Sequence, residues 1–127
     1  DKYTQRLVEE WKEHGRLILA VDYDDTIFPY KTATGEECLE LIEYLRLIQD
    51  KLWIIIWTAS KPERYEEIRS YCSSVGLEIV GVNTAAIPNL KFGTESKPYF
   101  NLLIDDRAGK ELAIQQLKKA YKEVYGN

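Results

Sequence analysis

Leu17-Ile18-Leu19-Ala20-Val21-Asp22-Tyr23-Asp24-Asp25-Thr26 is the stretch on which the fold turns. An unbroken apolar run of this kind suits a strand buried on both faces, as in a parallel sheet covered by helices. It ends abruptly in Asp22, Asp24 and Asp25, three carboxylates within four residues. Carboxylates this close at the end of a buried element repel one another, and a cation, a shared proton or solvent relieves them. Ligands that are all oxygen favour a hard ion, with Mg2+ the usual one where a phosphate is also held.

Outward from this stretch, apolar runs alternate with amphipathic segments, the mark of an α/β domain. Leu7 and Trp11 lie four apart in a charged segment that stops at Gly15, the pattern of a helix with a glycine after its end. Cys38, Leu41, Ile42, Leu45 and Ile48 follow three-four spacing and predict a second helix with an apolar stripe. Leu52 to Trp57 reads as a second buried strand. Ser60 and Glu63 have capping-box spacing ahead of a helix that carries Tyr65, Ile68, Cys72 and Val75 to Gly76. Ile79 to Val82 is a short third strand, and residues 83–96, with Pro88 and Gly93, read as a long loop. Leu102-Leu103-Ile104 is a fourth strand, followed by a helix with Ala113, Leu117, Ala120, Tyr121 and Val124 on its apolar side. Strands separated by helices run parallel through right-handed crossovers, with ligands at their carboxyl ends.

The 127 residues, 45% of them hydrophobic, suffice for one core, and no repeat or linker divides them, so a single domain over 1–127 is expected. A net charge of −4 argues against binding nucleic acid through a broad basic surface. Cys38 and Cys72 fall on apolar helix sides and read as reduced core residues, which points to a reducing, cytoplasmic setting. The longest strongly apolar run, Leu52 to Trp57, is far shorter than the ~20 residues of a membrane span, so no membrane is expected. The chain starts at Asp1 and has no methionine, so residues preceding Asp1 are expected in the native protein.

Further polar residues stand at strand ends. Thr58 closes the second apolar run, Lys97 precedes the fourth strand, and Asp105-Asp106 follows it. A hydroxyl and an ammonium can hold phosphoryl oxygens, and an acidic pair can complete a metal site. In this order the four groups resemble the motifs of the haloacid dehalogenase superfamily of phosphohydrolases: DxDxT at Asp22, Asp24 and Thr26, then Thr58, then Lys97, then Asp105-Asp106. The likeness spans residues 17–107, and the Leu103-Ile104-Asp105-Asp106-Arg107 stretch is also similar to short phosphatase-like proteins of bacteria and phages.

The resemblance implies a three-layer Rossmann-like fold with a parallel sheet and helices on both faces. It implies that Asp22 attacks phosphorus and forms an aspartyl-phosphate, while Asp24 serves as general acid and then base. Mg2+ is implied at Asp22, the backbone carbonyl of Asp24 and Asp105, with Asp106 in support, and Thr58 and Lys97 hold the phosphoryl oxygens. One departure is Asp25, where the superfamily usually has glycine; its role is not legible. The gaps between motifs leave no room for a large cap domain, so an open site is expected. Such a site accepts a phosphorylated small molecule, a nucleotide, a nucleic-acid end or a protein, or is closed by a second subunit in a homo-oligomer.

Taken singly, each of these residues has a plainer reading. An acidic turn after a strand is commonly solvated, Thr58 can cap a helix, and Lys97 can be a surface charge. Phe28 and Tyr30 read as core, or else as the lining of the substrate entrance. His14, the only histidine, suits a solvated position at a helix end. Two other functions compete. A receiver-type signalling domain needs a phospho-accepting Asp at a strand end before its Thr, yet between Thr26 and Thr58 the only Asp is Asp50, which precedes its strand. A degenerate binding module usually lacks one of the first two aspartates, and both are present here.

Overall fold

The computed structural model describes residues 1–84, 100–105 and 109–126. Eight principal elements follow the alternation read from the sequence: α1 (Lys2–His14), β1 (Leu17–Asp22), α2 (Gly35–Ile48), β2 (Leu52–Trp57), α3 (Tyr65–Ser74), β3 (Ile79–Val82), β4 (Leu102–Ile104) and α4 (Lys110–Tyr125). The strands form a parallel four-stranded sheet in the order β3-β2-β1-β4, flanked by helices in a Rossmann-like α/β architecture.

Local chemistry explains the helix ends. The Asp1 carboxylate accepts from the Thr4 N–H at 2.9 Å and caps α1. Gly15, at φ 77°, ends it by donating its N–H to the Trp11 carbonyl, a conformation that costs glycine nothing. The capping box, however, is not at Ser60 and Glu63. It lies at α2, where Thr34 Oγ1 accepts from the Glu37 N–H and the Glu37 carboxylate accepts from the Thr34 N–H. Ahead of α3 the chain makes a single 3-10 turn, Pro62–Arg64, and the α-helix starts only at Tyr65. Pro62 suits the first position of that turn because it has no N–H to satisfy, and the Ser60 hydroxyl is engaged elsewhere.

Both faces of the sheet are buried, as the apolar runs require. Leu17, Leu19, Val21, Ile54 and Ile56 belong to the larger core cluster, to which all four α-helices contribute. Ile18 and Ile55 point to the other face and pack with Trp53, Val80 and Phe100. This alternation follows from the two-residue period of a strand. Cys38 and Cys72 are buried and unbridged. Most of the loop expected over 83–96 lies outside the described residues. Among the described residues no helix is long and apolar enough to cross a membrane.

The register decides which residues meet. β1 pairs with β2 from Leu17↔Leu52 through Asp22↔Trp57, and with β4 through Val21↔Ile104. Asp22, Trp57 and Asp105 therefore stand level at the carboxyl end of the sheet. The chain travels outward from β1 to β3 and returns on the opposite side of β1 as β4. The reversal lies between β1 and β4, and open α/β sheets hold ligands at such a switch point.

Candidate active site

One cleft opens at the carboxyl ends of the strands. Its lining includes Asp22, Asp24, Asp25, Tyr30, Thr58 and Asp105, together with Lys31, Trp57, Ser60, Arg64 and Asn83. Four of the expected catalytic and ligand residues thus meet. Lys97 and Asp106, the remaining two, lie outside the described residues. A smaller pocket between α2 and α4, lined by Glu37, Tyr44, Lys110 and Lys118 among others, contains none of the expected set.

Asp22 ends β1, and the Thr26 hydroxyl approaches its carboxylate at 3.5 Å. Asp24 is held firmly. Arg64 grips it with both terminal nitrogens, at 2.7 Å to Oδ2 and 2.8 Å to Oδ1, the bidentate geometry that suits guanidinium to carboxylate. The same Arg64 donates to Ser60 Oγ at 2.9 Å and stacks near the rings of Tyr23, Phe28 and Tyr30, 5.2–5.9 Å from their centroids. Hydrogen bonding to Asp24 pushes the Arg64 pKa further above its ordinary value. Arg64 was not singled out from the sequence, because only the fold brings it, from the 3-10 turn ahead of α3, to Asp24 forty residues back.

Thr58 is 8% exposed, and its hydroxyl faces along the chain rather than freely outward. It donates to Ser60 Oγ at 3.0 Å and accepts from the Ser60 N–H at 3.1 Å, a local turn just past the strand end rather than the helix cap of its plainer reading, since the next helical turn has Lys61 at its N-cap. Asn83 pins the same strand end: its side chain accepts from the Thr58 N–H at 2.8 Å and donates to the Thr58 carbonyl at 2.7 Å. Asn83 sits at φ 56°, a conformation asparagine tolerates better than most residues. Its sequence signal, an Asn just after an apolar run, is too common to single it out.

Asp25 has a definite part. Its backbone adopts φ 60°, a region where glycine is at ease and most other residues are uncommon. Its Oδ1 accepts the backbone N–H groups of Tyr30, Lys31, Thr32 and Ala33 at 2.8–3.1 Å. Burial by itself would raise its pKa, but these four hydrogen bonds outweigh burial and hold the carboxyl well below the usual 3.8. Of the two candidate entrance aromatics, Tyr30 lines the cleft and is 56% exposed. Phe28 instead stacks on Tyr23 at 5.2 Å and meets Tyr71 edge-on at 5.0 Å, a packing role.

The donor set fits a divalent cation in one specific way. Asp22 and Asp105 present two carboxylates from adjacent strands one residue past Val21↔Ile104, and Mg2+ is commonly held by one or two carboxylates plus substrate phosphate and water. Among the described residues no three acidic, His or Cys side chains form a closed metal group. The Asp24 side chain is committed to Arg64, which leaves its backbone carbonyl, the donor that the resemblance implies.

No family model matches the chain, and no curated protein matches it. A solved structure of a conserved protein from Bacteroides thetaiotaomicron is similar in fold, with a TM-score of 0.60 and 24% identity over 82% of this chain and 91% of that one.

Proposed function

We propose that this chain is a Mg2+-dependent phosphomonoesterase of the haloacid dehalogenase type that works through an aspartyl-phosphate. The observation that carries the reading is the meeting of Asp22, Asp24, Thr58 and Asp105 in one cleft at the switch point of a parallel sheet. In the first half-reaction an Asp22 oxygen forms a bond to phosphorus, the bond from phosphorus to the leaving oxygen breaks, and Asp24 donates a proton to that oxygen. In the second, Asp24 takes a proton from water, the water oxygen bonds to phosphorus, and the phosphorus–Asp22 bond breaks to release inorganic phosphate. A bound Mg2+ supplies positive charge that offsets the two carboxylates and the phosphoryl oxygens. Lys97 adds a further positive charge, and the Thr58 hydroxyl, once it turns from Ser60, donates a hydrogen bond to a phosphoryl oxygen.

Asp24 can act only after exchanging Arg64 for the leaving oxygen, because both its carboxylate oxygens are engaged. That engagement favours a second reading, a binding module that holds phosphate esters without cleaving them. Hydrolysis of an aryl phosphate with Mg2+ separates the two. The enzyme reading expects turnover that EDTA abolishes and that falls on the order of 10³-fold in Asp22→Asn, which loses the nucleophile. Turnover indifferent to both treatments defeats it, and binding without turnover in the wild type establishes the module.

A further inference from the structure

The cleft has two kinds of wall. The strand ends supply Asp22, Thr58 and Asp105, the groups suited to a phosphoryl moiety, whereas Tyr30 and Lys31 come from the irregular segment between β1 and α2. An irregular segment held only by its ends would place side chains loosely. Here four consecutive N–H groups, those of residues 30–33, converge on one oxygen of Asp25, which is 7% exposed. The Asp25 N–H in turn donates to the Phe28 carbonyl at 2.7 Å, so the turn closes on itself. Phe28 is locked by its stack on Tyr23, a fully buried ring. The segment is thus anchored to the core through a carboxylate in the same turn as Asp22 and Asp24.

We infer that Asp25 is a positioning residue that fixes residues 30–33 as a rigid wall, and that this wall, through Tyr30, selects phosphomonoesters whose leaving group carries a planar aromatic ring. The inference rests on the phosphomonoesterase reading for its substrate half only. The Tyr30 ring is 56% exposed in the cleft, whose lining also holds Trp57, and both Lys31 Nζ, at 5.3 Å, and the Arg64 guanidinium, at 5.6 Å, lie near its centroid, leaving its outward edge and remaining face to a ligand. A ring beyond the phosphoryl group packs there; a short polyol leaving group has nothing to pack with.

Asp25→Gly tests the anchor without straining the backbone, since glycine accepts φ 60°. Asp25→Asn keeps an acceptor oxygen in the same place and serves as the conservative rescue. Amide hydrogen exchange at residues 30–33 is expected to quicken about tenfold or more in Asp25→Gly and less in Asp25→Asn. KM for 4-nitrophenyl phosphate is expected to rise about 3- to 10-fold in Asp25→Gly and in Tyr30→Ala, with kcat little changed, while KM for glycerol phosphate stays put. Comparing each variant with wild type on the same substrate removes the intrinsic reactivity of aryl esters. Unchanged exchange in Asp25→Gly overturns the anchor. Faster exchange with an unchanged aryl KM, or equal KM increases for both substrates, overturns the selectivity. A wild type that cleaves neither ester overturns the phosphomonoesterase reading and the selectivity with it, and the exchange measurement still decides the anchor.

Discussion

Asp24 and Arg64 show how a single pair ties site chemistry to stability. Both side chains are about a quarter exposed, at 28% and 23%, so water screens part of their attraction, but the two-pronged geometry and the surrounding rings restrict both partners already. A double-mutant cycle with Asp24→Ala and Arg64→Ala is expected to give a coupling of about 1–2 kcal/mol in urea unfolding. A coupling indistinguishable from zero would mean the pair is a surface contact of no consequence. The neighbouring Asp25 illustrates the opposite case, a carboxylate whose partners are all backbone N–H groups within eight residues. Its effect is therefore local, on one loop, rather than on the packing of one element against another.

At the scale of the element, the two capping-box patterns are instructive because they look alike in sequence. Thr34 and Glu37 form the reciprocal pair, while Ser60 and Glu63 do not. The difference lies in what surrounds each Ser or Thr. Thr34 is exposed, with nothing to compete for its hydroxyl, whereas Ser60 sits between Thr58 and Arg64 and bonds to both. Removing the working cap by Thr34→Ala is expected to lower stability by about 1 kcal/mol, read as a shift of the urea midpoint with an unchanged slope. An unmoved midpoint would show that solvent replaces the cap at no cost. The strands carry no such ambiguity, since Leu52–Trp57 and Leu17–Val21 have no alternative to burial on two faces.

Across the whole molecule, burial of titratable groups sets an alkaline limit. Burial pushes the Cys72 thiol from 9.0 up to about 11 and the Tyr44 phenol from 10.0 up to about 12, and it raises Tyr23 as well. In each case the folded state holds the proton more tightly than the unfolded chain. The stabilisation is therefore complete below pH 9 and declines as pH rises through about 11 to 12. Unfolding free energy measured from pH 8 to 12 is expected to fall above pH 9, and Cys72→Ala is expected to flatten the first part of that fall. A Cys72→Ala curve parallel to wild type throughout would assign the decline to the tyrosines alone.

The order of elements, the parallel sheet and the two-faced burial of β1 and β2 follow from the sequence alone, because an apolar run without a polar break has nowhere else to go. Asp22, Thr58 and Asp105 were also legible as strand-end residues, since each directly follows or ends such a run, and Asp24 stands two residues beyond Asp22. Arg64, Asn83 and the part played by Asp25 were not. Their roles depend on distance in space rather than along the chain: Arg64 reaches Asp24 across forty residues, and Asn83 reaches Thr58 across twenty-five. Asp25 gathers N–H groups from a segment with no periodicity to read. Periodicity reports which side of an element faces the core, but only the sheet order and register decide which strand ends meet, and with them the composition of the cleft.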